Sequence, residues 1–451
     1  MMKTQIVEWP LKYGAAELFE LYHSRPGAVL LDSSLVNEMG RYSIIGLNPY
    51  KTLEVKDGAL YVDGSPSRDS LEETLGAYMA AHYEKNDTGL PMISGAIGYF
   101  TYDYGRSFEQ IKTRHSRSQA VPDCILNFYD NLIIEDRHEK RLYLTASGML
   151  AEPGAVLDAL KAEISAFTPS QEAGEWEEYP VKITSDFEKE AYKKAIDRMI
   201  DYIVEGDIYI ANMTRRIMAY SGKPPYAMFK SLRENNPSPF GGYFNYGDFQ
   251  VISASPERFL RMKDGLVETR PIKGTRRRGV TPEEDAALKK ELQESGKDKS
   301  ELLMIVDLER NDLNRVCEPG SVKVTSLFDV ETYATVFHLV SNIVGKLRDG
   351  LTAPDLLRAA FPGGSITGAP KIRAMEIIDE LEQSRRGLYT GSMGYLGLDG
   401  SCDLNIVIRT AVYQNGCYTL GVGGGITCES DLEFEYEETE QKARALLEAM
   451  K

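Results

Sequence analysis

Three short turn signals in the second half of the chain constrain its fold more than any other feature. VISASPERFLRM and LVETRPIKGT flank Lys263-Asp264-Gly265, GSMGYLGL and CDLNIVIRTAVY flank Asp399-Gly400, and the latter run turns again at Asn415-Gly416 into CYTLGVGGGI. Asp-Gly and Asn-Gly favour the left-handed backbone of tight hairpins, so the runs on either side read as adjacent antiparallel strands. VKDGALYVDG and SGAIGYFTYDYG carry Asp-Gly and Gly signals of tight hairpins nearer the N-terminus. Capped helices lie between. Ser185 and Glu188 are spaced as a capping box, and Phe187, Tyr192, Ile196, Met199, Ile200 and Ile203 keep a helical stripe until Gly206. Thr281-Pro282 begins a second helix, with threonine as N-cap and proline in the first turn. Hairpins interspersed with capped helices predict an α+β fold rather than a doubly wound parallel sheet. The polar, acidic stretch over 168–182 reads as a linker. It separates a small N-terminal region, 1–167, from a larger catalytic region, 183–451, and the two are expected to interlock.

With 451 residues the chain can bury a sizeable core in two or three domains. Acidic side chains outnumber basic ones 68 to 52, a formal charge of −16, and no long basic stripe offsets it. Nucleic acid is therefore not an expected partner. The five cysteines, Cys124, Cys317, Cys402, Cys417 and Cys428, are scattered without CxxC spacing, which indicates neither a disulfide framework nor a zinc site. The N-terminal MMKTQIVEWPLKYG lacks an apolar leader, and no run approaches the ~18 apolar residues of a membrane span. The expected compartment is the cytoplasm, with no membrane partner.

Several constellations carry chemistry. Asp298 and Glu301 share one helical face, as do Glu435 and Glu438, with Lys442 four residues on. Two such carboxylate pairs brought together suit Mg²⁺, whereas Glu438 and Lys442 alone also fit an ordinary surface pair. FPGGSITGAPK, residues 361–371, is a Gly-rich loop feeding a helix whose first turn would hold Ala369 and Pro370. Ala369 stands where a phosphate loop needs lysine, and Ile426 ends GVGGGI where a dinucleotide fingerprint needs glycine. Nucleotide binding is thereby excluded, and carboxylate binding at a helix start stays open. Counting back from Asp264-Gly265 brings Glu257 within about one residue of Lys273 across a ladder. Arg270, Arg276, Arg277 and Arg278 surround that lysine in sequence, and nearby cations favour a neutral, nucleophilic amine. A solvated cross-strand ion pair beside a basic surface run is the competing reading. None of the five histidines sits in a hydrolase or zinc motif, and no cysteine has the setting of a glutamine-hydrolysing nucleophile. His338, within TVFHLVSNIVG, reads as a core histidine on its own.

Taken in order, SPER (255–258), TRPIKGT (269–275), ELLMIVDLERND (301–312), FPGGSITGAPK, NIVIRT (405–410), GVGGGI and EYEETEQK (435–442) form one set. This set resembles the chorismate-utilising enzymes, which include anthranilate, aminodeoxychorismate, isochorismate and salicylate synthases. LLDSS and GRYSIIG extend the resemblance into the N-terminal region. It implies an anthranilate synthase component I-like fold, with packed antiparallel sheets flanked by helices. Amination to anthranilate typically goes with PIAGT, and PIKGT is similar to component I of aminodeoxychorismate synthases. The resemblance then implies that Lys273 adds to C2 of chorismate as the C4 hydroxyl leaves, with Glu257 as the acid. Ammonia would next replace the lysine by attack at C4.

The remaining roles are implied in the same way. Glu301 and Glu438 would bind Mg²⁺ directly, supported by Asp298 and Glu435. Tyr395 and Arg409 would hold the enolpyruvyl carboxylate, and Thr367, Gly423, Gly424 and Lys442 would complete the carboxylate contacts. His338 matches a histidine at the reaction centre. Ile210 stands where water-adding relatives carry a base lysine, which disfavours C2 hydroxylation. No glutaminase is encoded, so a separate glutamine amidotransferase subunit, component II, would supply ammonia. Leu31, Asp32, Ser33, Ser34, Pro239 and Phe240 match a pocket that binds tryptophan in some members. The competing readings are anthranilate synthase component I and a catalytically silent subunit that binds chorismate or tryptophan.

Overall fold

The computed structural model describes residues 3–117, 120–169, 179–333 and 336–451. The turn signals fold as read. Lys263 pairs with Leu266 and Gln414 with Cys417. Asp264, Gly265, Asn415 and Gly416 all have positive φ, between 52° and 78°, the pattern whose twist matches the paired strands. Around Asp399-Gly400, Leu396 pairs with Cys402. Among the described residues every strand pairing is antiparallel, and helices pack around the sheet. The class is α+β.

Strands from the two halves of the chain pair with each other. Val29–Asp32 lies between Tyr42–Lys56 and Phe240–Asn245, and Gly95–Phe100 lies between Cys124–Asp136 and Ser392–Gly397. Of the expected linker, residues 170–178 lie outside the described residues.

Five elements position the site. The strand Val336–Lys346 pairs on one side with Leu266–Thr269 and Ile272–Arg277, and on the other with Lys323–Thr332. Its register with Ile272–Arg277 breaks between Lys273 and Thr275, where Gly274 has φ 71°. A Cβ there would stand 2.8 Å from Asp298 Cγ and 2.9 Å from Leu292 Cδ1, so the bulge needs glycine both for its conformation and for its close fit. The helix Gly296–Asn314 starts at Ser295, whose hydroxyl accepts from the Asp298 amide. It buries Leu302, Ile305, Val306 and Leu313, each contributing roughly 1.5–3 kcal/mol. Glu301, Glu309 and Asp312 are buried on the same helix. The helix Leu432–Ala449 is capped by Asp431 and buries Glu435 beside Thr439, Ala443 and Leu446. The strand Cys417–Ile426 pairs with Ile210–Tyr220.

One helix start differs from the sequence reading. The helix Lys189–Glu205 has Glu188 as N-cap with no side-chain bond, and it ends at Gly206 as expected. Ser185 instead closes the strand Lys182–Ser185, which pairs with Ile210–Tyr220. Its hydroxyl accepts from the Phe187 amide at 3.2 Å, so the sheet has claimed the residue that would have capped the helix.

Candidate active site

Lys273 leaves the bulge with Nζ donating to the Ser365 carbonyl at 3.2 Å. Glu257 is buried nearby, with the Ile272 amide close to its carboxylate. Burial pushes this carboxyl above its ordinary range, against the opposing pull of Ser365, Lys273 and Lys442. Glu301 also feels the charge of Lys273, so the amine stands between two glutamates. The proximity of Glu257 and Lys273 is real, but it does not arise across their own hairpin. That ladder ends at Arg261 and Glu268, and Lys273 is held by the third strand, opposite Leu339.

The arginines that flank Lys273 in sequence face elsewhere. Arg270 pairs with Glu331, Arg276 with Glu291 and Asp298, Arg277 with Glu284, and Arg278 with Asp285. Each of these arginines is thus paired with an acid of its own.

The glycine run of Cys417–Ile426 passes between the two acid-bearing helices. A Cβ on Gly424 would lie 2.5 Å from Glu438 Oε2 and 3.1 Å from Glu435 Oε2. A Cβ on Gly425 would lie 3.3 Å from Lys273 Nζ, 3.5 Å from Ile210 Cδ1 and 3.8 Å from Glu301 Oε2. Ile210 is thus part of the wall. The Gly423 carbonyl accepts from Lys442 Nζ at 2.8 Å, and the same ammonium lies 3.0 Å from Glu438 Oε2. The Glu438–Lys442 pair exists, but it is tied to the glycine strand.

Burial raises the carboxyl pKa of Glu301, and the charges of Asp298 and Glu438 add to it. Burial also raises that of Glu435, with Glu438 contributing again. Asp298 is bound to Arg276 at 3.1 Å, and Glu435 accepts from Ser430 Oγ at 2.7 Å. Among the described residues no three His, Cys, Asp or Glu side chains form a preformed metal cluster. Glu301 and Glu438 instead offer two mutually repelling carboxylates. That donor set fits Mg²⁺, which binds through one or two carboxylates and completes its shell with water and substrate oxygens.

Arg409 has φ 52°, an uncommon conformation for a side-chain-bearing residue and one that recurs at functional sites. Burial lowers its pKa, while Tyr389 and Glu438 act in the opposite direction. Tyr389, not Tyr395, is the aromatic beside it. The Tyr389 ring occupies the space above Gly421, where a Cβ would lie 2.1 Å from the ring. His338 faces Thr275, with Nδ1 2.9 Å from the hydroxyl oxygen. Burial and then Arg409 lower its pKa to about 4, so the imidazole is neutral at neutral pH.

Other sequence assignments also move. The Thr367 hydroxyl is buried and donates toward the Gly363 and Gly364 carbonyls at 2.9 and 3.3 Å. Ser365, two residues earlier, has a buried hydroxyl without a hydrogen bond among the described residues, and it faces Glu257. Ala369 belongs to a two-residue strand paired with Ile210, and the helix begins only at Lys371. Ser365, Tyr389 and Gly425 are the residues that sequence reasoning missed. Ser365 and Gly425 lay inside quoted motifs, but Tyr389 had no local signal.

Tyr395 lines a separate cavity of about 70 Å³ with Leu31, Asp32, Ser33, Pro239 and Phe240. Strand Ser392–Gly397 pairs Tyr395 with Ile97 and turns it toward the N-terminal region. Ser34 is not part of that lining. Its hydroxyl accepts from the Ser238 amide at 2.9 Å. The Asp32 carboxylate is bound to Arg233 Nε at 2.8 Å.

A family model described as chorismate binding enzyme matches residues 30–448. Aminodeoxychorismate synthase component 1 of Bacillus subtilis is 39% identical over 453 residues, covering 96% of this chain and 93% of the relative. Anthranilate synthase component 1 of Pseudomonas aeruginosa is also 39% identical, covering 94% and 90%. The crystal structure of anthranilate synthase component I from Streptococcus pneumoniae matches with a TM-score of 0.82 at 31% identity, covering 91% of this chain and 93% of that one.

Proposed function

The chain belongs to the chorismate-binding enzymes, and on that premise we propose that it aminates chorismate to 4-amino-4-deoxychorismate. The observation that carries this reading is Lys273, with its amine beside Glu257, Glu301 and the side-chain-free face of Gly425. Lys273 Nζ adds to C2 of chorismate as the C4–O bond breaks, and Glu257 protonates the departing hydroxyl, releasing water. Ammonia then forms a bond to C4 as the C2–N bond breaks and the lysine is released. The extra proton on the new amine returns to Glu257, so the acid is restored and the cycle balances. One difficult displacement becomes two easier ones. Burial of Glu257 supports its role, because it raises the carboxyl pKa and so favours the protonated form that an acid needs.

Arg409 and Tyr389 are suited to the enolpyruvyl carboxylate, since a guanidinium fork matches carboxylate geometry. The hydroxyl of Ser365 faces Glu257 and would meet the substrate beside it. Glu301 and Glu438 would hold Mg²⁺, which when bound supplies positive charge for the ring carboxylate of chorismate. The neutral imidazole of His338 can donate or accept a hydrogen bond without adding charge to the centre. Ile210 in the wall cannot deprotonate water, which favours amination over hydroxylation.

Ammonia is read as coming from a separate glutamine amidotransferase, in keeping with the component 1 names of the relatives. The N-terminal cavity is read as a seat for tryptophan, and calorimetric titration without heat would remove that occupant. Equal identity to anthranilate synthases keeps a second product in view. Incubation with chorismate, Mg²⁺ and ammonium, followed by liquid chromatography and mass spectrometry, separates the two. The expected product retains the enolpyruvyl group with NH₂ in place of OH. Anthranilate with free pyruvate would overturn the proposal. Lys273→Ala should abolish the covalent adduct in intact-protein spectra.

A further inference from the structure

Glu309 is a buried carboxyl that this reaction does not use. It lies two turns beyond Glu301 on the helix Gly296–Asn314. Its Oε2 is 2.8 Å from Thr269 Oγ1, and the same hydroxyl is 2.7 Å from the Phe259 carbonyl. A hydroxyl carries one hydrogen, and a backbone carbonyl can only accept. Both contacts have full hydrogen-bond length. Thr269 therefore donates to Phe259, and the hydrogen in the second bond belongs to Glu309.

The surroundings agree with a protonated acid. The charged groups that face Glu309 are Glu257 at the entry to Arg258–Lys263, Asp312 on its own helix and Lys371 from the helix Lys371–Leu381. Lys371 is already bound to Asp312 at 2.6 Å and to the Ala360 carbonyl at 2.8 Å. Among the described residues Glu309 has no ion pair. Burial first, and then the charges of Glu257 and Asp312, push its carboxyl up to about 8. Two neighbouring buried carboxyls resist ionising together.

Glu309 also touches both parts of the acid's setting. Phe259, which its bonded partner holds, lies two residues from Glu257. Glu309 Cγ lies 3.2 Å from where a Cβ on Gly364 would stand, next to Ser365. We propose that Glu309 is a positioning residue, kept as a neutral carboxylic acid that donates to Thr269 and thereby holds Glu257 seated and uncharged. This rests on reading Glu257 as the acid of the amination.

Glu309→Gln tests it, because the amide can still donate to Thr269 but cannot ionise. Infrared spectra of the free protein at neutral pH should contain a protonated-carboxyl band that the variant loses. The variant should keep kcat/KM at neutral pH within about threefold. The alkaline limb of its pH profile should move to higher pH, because ionised Glu309 has no hydrogen for Thr269. A wild-type spectrum without the band overturns the neutral acid whatever the product of turnover. An unchanged alkaline limb, or a loss beyond about tenfold in a folded variant, overturns the positioning role.

Discussion

Gly425→Ala should separate folding from catalysis. Gly425 lacks a positive φ, so alanine can adopt its backbone, and the three atoms nearest the added methyl all belong to side chains. The contacts are 3.3 Å to Lys273 Nζ, 3.5 Å to Ile210 Cδ1 and 3.8 Å to Glu301 Oε2. The amine need retreat by only a few tenths of an ångström. Alanine also removes unfolded-state freedom worth about 0.4–1 kcal/mol. Net stability should therefore stay within about 1 kcal/mol of the native protein. Catalysis should suffer far more, because the methyl fills space beside the attacking amine. A substrate held about 1 Å further from the amine by the methyl would react on the order of 10²-fold more slowly, ~3 kcal/mol of barrier. The neighbouring glycines provide controls. Gly423→Ala would put Cβ 2.4 Å from the Met213 carbonyl of the paired strand, which should damage folding itself. Gly424→Ala would press on Glu438 Oε2 at 2.5 Å, which should weaken Mg²⁺ dependence first. The measurements are urea unfolding and steady-state kcat/KM for chorismate at several Mg²⁺ concentrations. Native kcat/KM in Gly425→Ala would refute the placement of substrate over this residue.

Other substitutions probe the remaining assignments. Glu301→Ala should raise the Mg²⁺ concentration for half-maximal activity at least about tenfold, because one of two carboxylate ligands is lost; an unchanged titration removes Glu301 from the metal site. Tyr389→Phe should raise KM for chorismate by about tenfold through loss of a hydrogen bond to a charged group. Tyr395→Phe should leave KM unchanged, and the reverse pattern would restore the sequence assignment. Glu309 also predicts a pH effect on stability. Its folded pKa of about 8 lies above the unfolded value, so the folded state binds the extra proton, and stability falls as pH rises from about 4.3 through about 8. The loss has an upper bound of about 5 kcal/mol. Glu309→Gln should abolish this component in urea unfolding at mildly acidic and alkaline pH, and equal pH slopes in both proteins would contradict it.

The parts of the fold that were legible in the sequence are those decided by neighbouring residues. Asp264-Gly265 and Asn415-Gly416 specify their own backbone conformation, and they formed the expected turns. Thr281 likewise caps its helix through the Glu284 amide. Ser185 failed because its capping chemistry competed with a strand partner some thirty residues away, a contact that local spacing cannot report. Strand counting had a similar limit. It brought Glu257 near Lys273 by continuing a ladder that stops at Arg261 and Glu268. The two are neighbours because Val336–Lys346 pairs with both Leu266–Thr269 and Ile272–Arg277 across the break.

The site residues divide along the same line. Helical spacing and motif order singled out Glu301 and Glu438, and the structure brings both carboxylates to the glycine strand. Tyr389 and Tyr395 share one Gly-rich segment only six residues apart, so composition could not choose between them. The choice is made by distant partners. Gly421 leaves room for the Tyr389 ring, and Gly95–Phe100 turns Tyr395 toward the other cavity. The arginines make the point for electrostatics. Arg276, Arg277 and Arg278 are close to Lys273 in sequence, but the helix that begins at Pro282 and the one that begins at Gly296 bring acids to each of them. The charge of Lys273 is felt by Glu257 and Glu301, one from before the hairpin and one from a helix after it. Charge along a chain therefore says little about the field at a side chain until the packed elements are known. Lys273 has acids for neighbours, while the arginines beside it in sequence are paired with acids of their own.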